Sequence, residues 1–189
     1  HNRVRRQRQM CIRDRTSAYL GLRLAWGDCE VAVVPFDEII PRILDGTYTS
    51  GLIIHEGQLT YVDHDLDVLI DLGKWWNGRT PNWPMPLGGN VVRRDLGEDV
   101  MRDITKYTKM SIEYALKSPD EALEFAKAWG RGIDDDTNKE FVGMYVNDRT
   151  IDYKEDGRAA IRLFIKEGQH IGMIRNDFDT ATMRFIGEP

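Results

Sequence analysis

The 189-residue sequence has little cysteine and no long apolar run, and each shortage removes a class of protein. Two cysteines, Cys11 and Cys29, support neither a disulfide framework nor a cysteine-based metal site. Such thiol usage fits a reducing compartment, so a cytoplasmic location is expected. No stretch approaches the roughly 20 apolar residues of a membrane helix, and no signal-type apolar segment stands near the start. No membrane partner is therefore expected. Internal repeats and low-complexity tracts are also lacking. What is present is 41% hydrophobic with a net charge of −5. That suffices for one good-sized core or two small lobes.

Basic residues are unevenly spread. Residues 1–15 hold six arginines against one acid, Asp14, and the remainder is correspondingly more acidic. An arm of this kind can bind nucleic acid. RQRQMCIRDR instead looks like translated sequencing-adapter readthrough, so no nucleic-acid partner is expected. Residues 1–15 are read as a non-native, disordered leader, with Thr16 as the first native residue and the true start missing.

Behind the leader, Thr16-Ser17 supplies N-cap chemistry for a helix over AYLGLRLAW. EVAVVP (30–35), GLIIHE (51–56) and LDVLIDL (66–72) are short apolar runs that predict strands. A helix runs from a cap at Asp37 through Leu44 and stops at Gly46. Strand, helix, strand at this spacing predicts βαβ units and a mostly parallel sheet. GKWWNGRTPNWPMPLGGN (73–90), rich in tryptophan, proline and glycine, predicts a loop-rich crossover, and LGGNVVRRD (87–95) a returning strand. Beyond Gly97 the periodicity becomes helical, with Val100, Ile104, Tyr107, Ser111 and Tyr114 on one stripe. Ser118-Pro119-Asp120-Glu121 starts another helix. Two more are predicted near 135–147 and 155–167.

His55 is the first candidate for chemistry. An apolar strand ending in His-Glu sets polar groups where they need water or a ligand. Ligands in such folds sit near the carboxyl ends of strands. Imidazole changes charge near neutral pH and suits general-base work; the alternative is that His55 only caps a loop. Leu59 stands where a second histidine would complete HExxH, which excludes that zinc site. His64, within VDHDLD, and His170 read as solvated. A metal site of His64, Asp63 and Asp65 is disfavoured because adjacent ligands rarely reach one ion; no metal is expected. Thr16 and Ser17 can bind a carboxylate or phosphate at a helix N-terminus, though capping explains them equally well. Gly88-Gly89 suggests a close backbone approach in a hinge, and Trp75-Trp76 suggests packing.

TSAY, GLIIHEGQLTY and LDVLIDLGKWWNGRTPNWPMPLGGNVVRRDLG form an ordered set that resembles the 1,4-dihydroxy-6-naphthoate synthase family of the futalosine route to menaquinone. The resemblance runs from Thr16 to about Asp148. It implies an α/β, periplasmic-binding-protein type II-like fold of two lobes around a cleft. On that basis residues 16–90 form an α/β lobe with the cleft residues. Residues 91–189 supply a return strand and C-terminal helices that pack on the other, incomplete lobe. The resemblance also implies an enzyme that converts cyclic dehypoxanthine futalosine, a small-molecule substrate, to 1,4-dihydroxy-6-naphthoate without a cofactor. His55 takes the role of base, and Thr16 and Ser17 contact the substrate. A transporter's solute-binding protein and the sibling chorismate dehydratase are the alternatives of similar fold. Gln58 stands where the family pattern has arginine, which bears on substrate identity. With about a third of the family's length absent from its first lobe, residues 1–189 alone are expected to be poorly soluble or inactive.

Overall fold

In the computed structural model, residues 10–13, 16–55, 57–127 and 135–187 are described. Three short strands, β1 (Met10–Ile12), β2 (Val31–Val33) and β3 (Ser50–Gly51), form a parallel sheet in the order β2-β1-β3. Cys11 pairs with Ala32 on one side and Gly51 on the other. Val34 N–H donates to the Ile12 carbonyl at 3.0 Å and Leu52 N–H to the Cys11 carbonyl at 2.9 Å.

The central strand corrects the expectation that residues 1–15 are wholly disordered. Met10-Cys11-Ile12 is a short apolar run inside an arginine-rich stretch, and Cys11 and Ile12 are fully buried. Once both neighbours pair with it, the apolar local run outweighs the polar average composition. Residues 1–9, 14 and 15 lie outside the described residues.

Helix α1 (Ser17–Trp26) follows β1 and is the hub of the packing. Thr16 caps it, its hydroxyl accepting the Tyr19 N–H at 3.1 Å. Leu22 joins Ile12 and Leu52 against the sheet, while Leu20 joins Trp76, Ala160 and Phe164 in a second cluster. Between them Gly21 packs against Met85, whose Cε would lie 2.6 Å from an added Cβ. Helix α2 (Ile39–Leu44) covers the sheet through Ile39 and Ile40, and Gly46 lies just past its end in the left-handed region.

After β3 the chain forms the single turn α3 (Gly57–Thr60), a 3-10 turn ending at His64, and α4 (Leu72–Arg79). Neither LDVLIDL nor LGGNVVRRD is a strand. Val68 and Leu69 are over half exposed and Val91 is 97% exposed. A strand needs a neighbour to take its backbone hydrogen bonds, and these runs meet none among the described residues. The tryptophan pair is likewise not in a loop. Asp71 accepts the Lys74 N–H at 3.0 Å and so starts α4 across it.

From Glu98 to His170 the described residues are mainly helical: α5 (Glu98–Lys117), α6 (Pro119–Lys127), α7 (Asp135–Tyr145) and α9 (Lys154–His170) answer to the four predicted helices, and the single turn α8 (Asp148–Ile151), capped by Asn147, was not predicted. Helix α9 returns to α1 and α4. Trp76 lies edge-on to Phe164 with ring centroids 5.3 Å apart, and its indole N–H donates to the Pro84 carbonyl at 3.1 Å. Arg79 stacks on Trp75 and reaches Glu167 at 2.6 Å. Among the described residues, no helix is long and apolar enough to cross a membrane.

Candidate functional site

Parallel strands direct their carboxyl ends to one edge of the sheet, so the three loops leaving that edge are neighbours. The loop after β2 carries Phe36 and the loop after β3 carries His55, with ring centroids 5.4 Å apart at a tilt of 50°. Because β1 lies between them, this contact bridges the middle of the sheet. Arg13, from the loop after β1, places its guanidinium 5.9 Å from the Phe36 centroid.

His55 is half-buried and held by its own loop. The Gly57 N–H donates to its Nδ1 at 3.0 Å, and the Gln58 N–H donates to its carbonyl at 2.9 Å. Gly57 is glycine for a steric reason. An added Cβ would stand 2.7 Å from His55 Cε1 and 2.8 Å from Ile40 Cδ1. The Gln58 carboxamide donates to Tyr145 Oη at 2.7 Å, tying α3 to α7. Glu56, the second member of the His-Glu pair, lies outside the described residues.

Thr16 and Ser17 stand at the N-terminus of α1, on the loop leaving the adjacent strand. The Thr16 hydroxyl donates to the Arg13 carbonyl at 3.3 Å and caps the helix. The Ser17 hydroxyl donates to the Leu87 carbonyl and so fastens the crossover to the helix start. In this arrangement both hydroxyls serve backbone groups of the chain. His64 is exposed at the end of a 3-10 turn, and His170 is the exposed last residue of α9. Gly88 and Gly89 are exposed as well, an added Cβ on Gly89 lying 3.3 Å from Tyr153 Oη. Among the described residues, no three His, Cys, Asp or Glu side chains converge as a metal site would require.

Cys11 lies beneath this edge in β1, its thiol directed at the Ser50 carbonyl 3.4 Å away. Burial pushes the thiol up to about 11, which leaves it protonated and poorly nucleophilic at neutral pH. It is a packing residue. A concavity of about 590 Å³ lined by Trp83, Lys154, Glu155, Asp156 and Ala159 lies elsewhere, against α9, and includes none of the strand-end residues. The converging loops, not this hollow, offer a titratable ring held in a defined orientation.

Sequence reasoning singled out His55 but missed Phe36 and Tyr145. Phe36 had a usable signal, since it directly follows EVAVVP, the first predicted strand, and so leaves the sheet at the same edge. Tyr145 had none, being 87 positions from Gln58.

A family model described as menaquinone biosynthesis matches residues 4–170. The 1,4-dihydroxy-6-naphtoate synthase of Thermus thermophilus is 36% identical over 158 residues, covering 84% of this chain and 58% of that protein. The enzyme of the same name from Streptomyces coelicolor is 33% identical over 176 residues, covering 89% and 62%. The crystal structure of protein AF1704 from Archaeoglobus fulgidus superposes with a TM-score of 0.83 at 39% identity, covering 89% of this chain and 64% of that one. This chain thus spans about three fifths of the length of the curated relatives it matches.

Proposed function

The chain belongs to the menaquinone biosynthesis family, and from that premise we propose that it acts as a 1,4-dihydroxy-6-naphthoate synthase. On this reading it is a cytoplasmic lyase of a bacterium that converts cyclic dehypoxanthine futalosine to 1,4-dihydroxy-6-naphthoate. His55 is the base, and Thr16 and Ser17 contact the substrate. The fold on this reading is a periplasmic-binding-protein type II-like pair of lobes, with the substrate between them.

The observation that carries the reading is the seating of His55 against Phe36 at the carboxyl edge of the parallel sheet. An imidazole with one apolar face covered and its ring fixed by a backbone amide is oriented before substrate arrives, which lowers the cost of reaching a reactive geometry. Proton abstraction needs a group near neutral pKa that can return the proton later in the cycle. Phe36 also supplies a flat apolar surface on which an aromatic substrate ring can rest.

The test is turnover of cyclic dehypoxanthine futalosine by the full-length protein and its His55→Ala variant. Loss of a general base lowers kcat by about two orders of magnitude or more, with thermal unfolding little changed because the ring is only half-buried. A variant that retains near-normal turnover overturns the assignment of His55 as base.

A further inference from the structure

Helix α3 is one turn long, and a single turn has almost no stability of its own. Its position therefore depends on what it touches. That turn carries the Gly57 N–H that donates to His55 Nδ1, and the Gln58 carboxamide that donates to Tyr145 Oη on α7. A ring nitrogen that accepts an N–H carries no proton itself. The neutral imidazole accordingly keeps its one proton on Nε2, and Nδ1 is the nitrogen with the lone pair.

We infer that Gln58 is a positioning residue, which by tying α3 to Tyr145 keeps the Gly57 amide on Nδ1 and His55 in one tautomer. The consequence for catalysis rests on the reading of His55 as base. Proton uptake then falls on Nδ1 as the Gly57 N–H moves aside, giving an imidazolium protonated on both nitrogens. The tie to α7 keeps that movement small, so the ring holds its orientation toward substrate while the amide gives way. An arginine at position 58 would also present N–H donors to Tyr145 Oη.

The test uses the full-length protein labelled with ¹⁵N and reads the His55 ring nitrogens by proton–nitrogen correlation spectroscopy. The wild type is expected to show one tautomer, protonated on Nε2 with Nδ1 as acceptor. Gln58→Ala and Tyr145→Phe each release the turn and are expected to give averaged signals of two tautomers. Tyr145→Phe removes only the hydroxyl oxygen and keeps the packing of the ring, so it guards against a variant that merely fails to fold. Gln58→Arg is expected to restore the single tautomer. In the full-length protein, kcat of the two releasing variants should fall about tenfold, with KM within twofold. Unchanged His55 signals in both releasing variants overturn the positioning role. A changed tautomer with unchanged kcat supports the positioning role and overturns His55 as the base.

Discussion

Helices α5 and α9 carry apolar stripes of the same period and meet opposite fates. On α9, Ala160 and Phe164 are buried against Leu20 and Trp76. On α5, Val100, Ile104, Tyr107 and Tyr114 are 41–63% exposed, and Met101 is the one residue of the helix that is buried. The periodicity tells which face of a helix is apolar. Whether that face is covered depends on chain arriving from elsewhere. Helix α9 is met by α1 and by an indole from α4; α5 is met by α6 and α8 along part of its surface.

The sharpest way to break this comparison is Trp76→Ala. It removes the largest fully buried side chain, leaves a cavity beside Phe164, and deprives the Pro84 carbonyl of its donor. A loss of about 3–5 kcal/mol is expected in urea unfolding, and a loss below 1 kcal/mol would mean that the α1–α4–α9 cluster is not the core.

A smaller effect probes the sheet. Burial raises the Cys11 thiol from 9.0 to about 11, so the folded state binds its proton more tightly than the unfolded chain does. The associated stability is fully present below pH 9 and is lost as pH rises through 11. It amounts to about 2–3 kcal/mol if the whole shift is realised. Thermal unfolding followed from pH 8 to 11 should show this loss in the wild type and a shallower one in Cys11→Ala. Identical slopes would remove Cys11 from the buried strand.

The smallest effect is expected on α5. Tyr107→Gln should change stability by no more than about 0.5 kcal/mol, the usual range for an exposed site. A cost near that of a core substitution would show that the stripe is covered in solution and would erase the contrast with α9.

Legibility followed the same division. The longer helices beyond Gly97 were evident from their periodicity and, at Ser118-Pro119, from a start signal, whereas the single turn at Asp148–Ile151 was not. The runs at 66–72 and 87–95 misled because a short β-branched segment forms a strand only beside a partner. Met10–Ile12 misled in the other direction, since two neighbouring strands gave it a use that its arginine-rich surroundings concealed. His55 was legible from its place after an apolar run and from the motifs around it. Phe36 and Tyr145 were not, because they reach it from another strand end and from a helix near the opposite end of the chain.

The sequence by itself determined the family, the helical second half, the parallel βαβ beginning and the candidacy of His55. These rest on local periodicity, capping chemistry and motifs contiguous in the chain. Only the tertiary structure decided that β1 is the central strand and that the tryptophan pair lies within helix α4, which begins at Leu72. It alone seats His55 between Phe36 and the Gly57 amide. Each of these turns on a partner distant in sequence, and hydrogen bonding and burial reward such a contact only once the chain has brought both sides together.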